Sequence, residues 1–365
     1  MPSLFDPFKL GAIELANRVV MAPLTRSRAD ANDVPSALMA QYYAQRAGAG
    51  LIISEAINVT RNSQSFERSP GIYSDQQTEG WRRVVDGIHQ HGGRIVAQLW
   101  HTGRASSFAI LNGKAPVSPS AVNDDLHLLH VWGQLENGVY TKIHATPSRA
   151  MTTEEVRATV QEYRRAAENA KAAGFDGLEI HAANGYLPHQ FLSPGTNQRD
   201  DQYGGSLENR TRFLREIIEQ VSEVFPLDRI GVRISPFADY NNVRDPDPAP
   251  TYRYVAAMVQ EFGMAYLHVA DTNGWFDRHD LPRILEIVRP AYSGALIVNG
   301  GIDGDKAKQL VAAGTADVVA FGRAFIANPD LVSRLKDNVP LAQASMEHWY
   351  GGSAKGYTDY PAYGA

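Results

Sequence analysis

No cysteine occurs in the 365 residues, which excludes disulfides, thiolate nucleophiles, cysteine-ligated zinc and iron–sulfur clusters at once. Charge of neither sign dominates. A formal net charge of -5, without a basic stretch or an acidic tail, gives nucleic acid and anionic membranes nothing to recognise. Long hydrophobic runs are missing as well, since no uninterrupted apolar stretch approaches the roughly 20 residues of a membrane span. The segment Met1 to Pro7 carries neither a basic flank before an apolar core nor an acylation motif. The expectation is a soluble, cytoplasmic protein, monomer or homodimer, whose partners are small molecules.

Further absences bear on chemistry. No Gly-x-Gly-x-x-Gly follows the first apolar run, so a nucleotide-binding Rossmann sheet lacks its main support. The lysines, at 9, 114, 142, 171, 306, 308, 336 and 355, all fall away from the ends of the apolar runs, which leaves a Schiff-base aldolase without a nucleophile. No His-x-His on the first run begins a metallohydrolase site, and no bound metal is expected.

What is present is a repeat of short apolar runs and longer amphipathic ones, the pattern of parallel strands joined by crossover helices. The expected strands are 18–21, 51–54, 95–98, 177–180, 230–234, 266–269, 295–298 and 318–321. Eight of them predict a closed (β/α)8 barrel, one domain over residues 1–365. Helices are expected over 152–173, opened by Thr152-Thr-Glu-Glu155 and closed by Gly174, and over 206–224. Residues 1–16 read as a hairpin closing the barrel bottom. The stretch 101–150, rich in Pro, Ser, Asn and Gly, is too long for an ordinary loop and reads as a lid or subdomain insertion.

Polar residues gather where this arrangement places strand C-terminal ends: Thr25, Gln98, His181, Arg233, Asn299 and Arg323. In a β/α barrel that rim carries the chemistry. His181, Asn184 and Tyr186 stand within six positions after one apolar run; two can donate to a substrate oxygen, and a phenol can supply a proton. That combination suits reduction of an activated double bond. The turns Asn299-Gly300-Gly301-Ile302 and Phe321-Gly322-Arg323 end the last two strands and fit a phosphate, with Arg323 adding a charge-assisted contact. Arg233, inside an apolar strand, needs an anionic partner, which the pyrimidine side of a reduced flavin supplies. Gln98 suits the edge of the same ring and Thr25 its C4 carbonyl. Glu179, between Leu178 and Ile180, reads as a structural ion pair rather than a catalytic base.

Longer strings carry a family likeness. Leu4-Phe-Asp-Pro-Phe-Lys-Leu-Gly11, Leu15-Ala-Asn-Arg-Val-Val-Met-Ala-Pro-Leu-Thr-Arg26, Gln98-Leu-Trp-His-Thr-Gly-Arg104, Ala115-Pro-Val-Ser-Pro-Ser120, His181 to Phe191, Asp201-Gln-Tyr-Gly-Gly-Ser-Leu-Glu-Asn-Arg210 and Gly322-Arg-Ala-Phe-Ile-Ala-Asn-Pro-Asp-Leu331 run nearly end to end. With them the chain resembles the old yellow enzyme family of FMN-dependent ene-reductases, in particular its bacterial N-ethylmaleimide, nitrate-ester and 2-cyclohexenone reductase members. The resemblance implies non-covalent FMN, held by Pro23, Leu24, Thr25, Ala56 and Gln98 at the ring, by Arg233 beside it, and by the Asn299 to Gly301 turn, Gly322 and Arg323 at the phosphate. It implies NAD(P)H as hydride donor and electron-poor alkenes, such as enones, maleimides and nitroalkenes, or nitrate esters as acceptors. His181 and Asn184 would bind the activating oxygen, and Tyr186 would be the proton donor. Phe66, Trp100, Trp275 and Tyr350 are expected pocket walls. Thr25 stands where one branch carries a redox-sensitive cysteine, and the absence of cysteine excludes the iron–sulfur branch. The alternative reading is a flavin-binding redox sensor or storage protein with negligible turnover.

Overall fold

The eight apolar runs become eight parallel strands: β1 (Val19–Met21), β2 (Leu51–Ile53), β3 (Ile95–Trp100), β4 (Gly177–Ala182), β5 (Ile230–Ile234), β6 (Tyr266–Ala270), β7 (Leu296–Asn299) and β8 (Val318–Phe321). Each pairs with its successor, and Val319 of β8 pairs with Val19 of β1, so the sheet closes into a barrel. This is the expected (β/α)8 architecture. The computed structural model describes residues 1–363; positions 364 and 365 of the expected single domain lie outside the described residues.

The barrel helices are α1 (Ala37–Ala44), α2 (Asp75–Gln90), α3 (Thr153–Ala173), α4 (Leu207–Ser222), α5 (Pro248–Phe262), α6 (Leu281–Val288), α7 (Gly304–Ala312) and α8 (Leu331–Asp337). Their ends follow from side-chain chemistry. Thr152 and Glu155 form a reciprocal capping box on α3, and Gly174 ends that helix at φ 92°, a conformation that disfavours any residue with a Cβ. Ser206 caps α4 by accepting from the Asn209 N–H. Among the described residues, no helix is long and apolar enough to cross a membrane.

Alternation along the strands sorts side chains into two layers. Leu178, Ile180 and Ala182 of β4, with Val232 and Ile234 of β5, point outward into the strand–helix core. Glu179 and His181, with Arg233, point the other way, into the barrel. Near the N-terminal ends of the strands that interior is apolar, filled by Val20, Leu51, Ile53, Val96, Tyr266, Ile297 and Val318. An antiparallel hairpin, Phe8–Leu10 with Ile13–Leu15, packs Leu10, Ile13 and Leu15 against this plug. The hairpin closes the bottom of the barrel, and the C-terminal end is open.

The long insertion after β3 has its own hairpin, Val131–Gln134 with Tyr140–Ile143, and its base is tied by Val117–Ser118 pairing with Arg149–Ala150. Trp132 N–H donates to the Ser65 carbonyl and Glu67 N–H to the Trp132 carbonyl, which docks the insertion on the loop after β2.

Gly231 of β5 illustrates how tightly the interior is filled. A Cβ there would lie 2.1 Å from the Tyr266 ring, and that ring is fully buried. Gly231→Ala is expected to destabilise the fold by about 1–3 kcal/mol through overpacking, read as a lowered urea midpoint with unchanged m-value.

Candidate active site

At the open end of the barrel lies a cavity with about 290 Å³ of interior space. Of the expected site residues, Pro23, Leu24, Thr25, Ala56, Phe66, Gln98, Trp100, His181, Asn184, Tyr186, Arg233, Trp275, Asn299, Gly301, Gly322, Arg323 and Tyr350 all line it. Gly300 does not. It sits at φ 138°, and a Cβ there would fall 2.2 Å from the Asp271 carbonyl oxygen, so its place is backbone packing behind the cavity wall.

The floor is built from a buried carboxylate. Glu179 is fully buried; its Oε1 accepts from Gln98 Nε2 at 2.7 Å and its Oε2 faces His268 Nδ1 at 2.8 Å. Burial opposes ionisation of Glu179, yet His268, Arg233 and Gln98 together hold its carboxyl below the usual range. Burial also lowers His268 despite its acidic partner. Because the Gln98 amide nitrogen faces Glu179, its carbonyl is left for the cavity. Arg233 is the counter-charge; it reaches Asn299 Oδ1 at 3.1 Å, and Asn299 in turn donates to the Ala320 carbonyl at 2.8 Å.

Above this floor stand three polar side chains from the end of β4 and the turn beyond it. The His181 and Tyr186 rings meet edge to face at 5.1 Å, and Trp100 meets Tyr186 at 5.0 Å. Burial, and next the Arg233 charge, push His181 well below the usual histidine range, so it is neutral. Burial raises the Tyr186 phenol above its ordinary value. His181 Nδ1, Asn184 Oδ1 and Arg233 Nε are buried and have no hydrogen-bond partner among the described residues. Unsatisfied polar atoms of that kind cost free energy, and the residues that carry them line one cavity. Together with Gln98, Thr25 and the glycine turns at Gly301 and Gly322, they fit a flat, partly polar ring with an anionic tail. FMN has that chemistry.

The cavity also has walls that the sequence did not indicate: Arg26, Tyr240, Ile302, Ile326 and Trp349 among them. Trp349 and Tyr350 arrive from the C-terminal segment, which is pinned when the buried Arg26 donates to the Trp349, His348 and Gly356 carbonyls at 2.8, 3.2 and 3.0 Å. Tyr42 and Tyr357 stack beside it at 4.0 Å. Arg26 is the last residue of the Leu15 to Arg26 string; Tyr240 and Trp349 sit in irregular segments with no pattern to mark them.

The model of the NADH:flavin oxidoreductase / NADH oxidase family matches residues 3–342. The chain belongs to this family. It is an enzyme, an FMN-dependent oxidoreductase that uses NAD(P)H. It is 39% identical over 367 residues to 12-oxophytodienoate reductase 1 of Oryza sativa subsp. japonica, covering 98% of this chain and 92% of the other. It is 43% identical to morphinone reductase in a structure with tetrahydroNAD, at a TM-score of 0.93 over 100% of this chain and 98% of that one. The old yellow enzyme homologue of Zymomonas mobilis is 39% identical, with a TM-score of 0.91 over 99% of each.

The buried histidines give the enzyme a directional pH dependence. His101 and His189, each pushed down to about 3 by burial, and His181, also depressed, are neutral in the fold. The unfolded chain takes up their protons near pH 6.5. Their contribution is complete above that value and is lost as pH falls toward 3, each by about 1.4 kcal/mol per unit. Glu55, raised to about 7 by burial, acts in the opposite sense between its ordinary value and 7. Three groups outweigh one, so the urea midpoint should fall between pH 6.5 and 4.5; a midpoint that rises over this interval would show that these histidines are not held neutral.

Proposed function

We propose that the enzyme reduces electron-poor C=C bonds in small molecules, with His181 and Asn184 binding the activating oxygen and Tyr186 as the acid. The observation that carries this reading is the convergence of His181, Asn184 and Tyr186 on the cavity that also gathers Gln98, Arg233, Gly301, Gly322 and Arg323. The names of its relatives support it: among them are a 12-oxophytodienoate reductase and a morphinone reductase.

FMN, which Thr25, Gln98, Arg233, Gly301, Gly322 and Arg323 would hold, would supply two-electron hydride chemistry between NAD(P)H and the alkene. The chain supplies the rest. Neutral His181 and the Asn184 amide bind the carbonyl or nitro oxygen and stabilise the negative charge that grows there, while Arg233 adds a fixed positive potential nearby. Loss of one such donor typically costs about 10²- to 10³-fold. Tyr186 gives its proton to the α-carbon and recovers one from solvent. Because burial raises its pKa, the phenol stays protonated across the neutral range and is always ready as an acid. Phe66, Trp100, Trp275 and Tyr350 form the apolar walls that exclude water from the reacting carbons.

Mixing the yellow holoenzyme with NADPH and then with 2-cyclohexenone under anaerobic conditions tests the function. Flavin absorbance should be lost and then restored over repeated cycles. A protein that bleaches once and stays bleached in the presence of several electron-poor alkenes is a sensor or store instead. Acid precipitation should leave all the flavin in the supernatant as FMN.

Tyr186→Phe tests the acid. Reduction of the flavin by NADPH moves no proton onto a substrate carbon and should stay near the wild-type rate, whereas reoxidation by 2-cyclohexenone should slow by about 10²- to 10⁴-fold, the usual worth of a general acid. Equal loss in both halves would make Tyr186 a packing residue.

A further inference from the structure

Between β4 and the short helix Leu187–Leu192 the chain reverses through Asn184 and Gly185, both at positive φ, 57° and 74°. The Tyr186 N–H donates to the Ala183 carbonyl across them at 3.2 Å. This two-residue left-handed turn fixes where the Asn184 amide and the Tyr186 phenol stand. Its four backbone polar groups are all held by buried side chains. Ser235 Oγ accepts from the Asn184 N–H at 2.8 Å, and Asn241 Nδ2 donates to the Asn184 carbonyl at 2.9 Å. His189 Nδ1 accepts from the Gly185 N–H at 2.9 Å, and Gln190 Nε2 donates to the Gly185 carbonyl at 2.8 Å.

A turn of this kind needs only its own closing bond. Four additional side-chain contacts over-determine it, as expected where backbone geometry must be held against the pull of a ligand. Gly185 cannot carry a side chain, because a Cβ would fall 2.6 Å from both the Asn241 Cβ and the Tyr240 carbonyl oxygen. Gly185 is therefore held through its backbone N–H and carbonyl, by His189 and Gln190, and not by a side chain of its own.

His189 has a defined proton arrangement. Since Nδ1 accepts from an amide, the ring proton is on Nε2, where it donates to Tyr252 Oη at 2.6 Å. Burial keeps the ring neutral, with its pKa pushed down to about 3; a protonated Nδ1 would present a second donor to the Gly185 N–H. The other three clamps serve different groups, and His189 is the one whose acceptor depends on a single tautomer. It does not line the cavity.

We infer that His189 is a positioning residue of the reaction, acting through the Gly185 N–H to set the Asn184 amide and the Tyr186 phenol against His181, with Tyr252 fixing the tautomer that makes this possible. The inference rests on the roles given above to Asn184 and Tyr186.

Two substitutions separate positioning from bulk packing. His189→Asn puts an amide oxygen where Nδ1 lies and keeps an acceptor for Gly185, whereas His189→Gln puts its polar group nearer Nε2 and gives that acceptor up. The probe is 4-chlorophenol, whose phenolate on the oxidised holoenzyme should give a long-wavelength charge-transfer band. His189→Gln is expected to weaken phenol binding and slow reoxidation by 2-cyclohexenone, each by about tenfold or more, with FMN content unchanged; His189→Asn should recover most of both losses. Equal behaviour of the two variants, or wild-type phenol affinity in His189→Gln, would overturn the inference. If His189→Gln does not fold, nitrogen-15 spectra of wild-type histidines decide: the Nε2–H form of His189, unchanged from pH 5 to 8, is required, and the Nδ1–H form refutes it. No band in the wild-type enzyme would count against the oxygen site of His181 and Asn184 instead, which keeps the two failures distinguishable.

Discussion

A single ionised carboxylate, Glu179, lies inside the barrel, and the polar half of the interior is organised by the need to satisfy it. A buried anion is tolerated only when it is paired and hydrogen-bonded. Glu179 draws Gln98 from β3 and His268 from β6 into hydrogen bonds, and its charge is balanced by Arg233 on β5. Arg233 leads on to Asn299 on β7, and Asn299 to the β8 backbone. Six adjacent strands are thereby stitched on their inner face. Removing either charge alone would leave the other with less compensation in the core.

The same arrangement divides the barrel along its axis. The hairpin side chains Leu10, Ile13 and Leu15 complete an apolar plug below Glu179, and the cavity opens above it. A ligand with one polar edge finds a floor whose donors and acceptors are already oriented, since the Gln98 amide is turned by Glu179 and Arg233 by Asn299. The roof comes from distant parts of the chain. Phe66 from the loop after β2, Trp132 and Tyr140 from the insertion, and Tyr350 from the C-terminal segment pack ring on ring, with centroids 5.1 to 6.3 Å apart.

The strands and the floor were legible in the sequence because both follow period-two alternation. Arg233 between Val232 and Ile234 could only point inward, and His181, Asn184 and Tyr186 follow one strand in close sequence. The expected helices over 152–173 and 206–224 agree with the observed ones to within two residues because their caps are chemical signals, Thr152 with Glu155 and Ser206 with Asn209. Where contacts are long-range, legibility ends. Arg26 becomes part of the wall because it grips a segment more than 320 positions away, and no local pattern encodes that. Gly300 shares the sequence signature of its neighbour Gly301 and yet serves Asp271, since which of two adjacent glycines faces a cavity depends on their φ angles. The hairpin inside the insertion was missed because its strands are four residues each, interrupted by Gly133 and by the turn around Gly138.

The electrostatics of the site assign different tasks to charge and to hydrogen bonds. Arg233 is the fixed positive charge, yet it lies in the floor among Glu179 and Asn299, so its field is partly spent before it reaches a substrate. His181 is neutral because the same guanidinium and the same burial oppose a second cation. An oxygen that binds here therefore meets neutral donors, which hold developing charge without locking a resting anion in place. Tyr186 completes the logic. Burial makes it a weaker acid than a free phenol, so in the proposed role it would keep its proton until a strongly basic carbon is generated beside it. An enolate meets that demand; a nitronate, whose charge is spread over two oxygens, meets it poorly and can leave to be protonated in water. On the roles proposed for His181, Asn184 and Tyr186, the identity of the activating group decides whether the protonation step belongs to the enzyme at all.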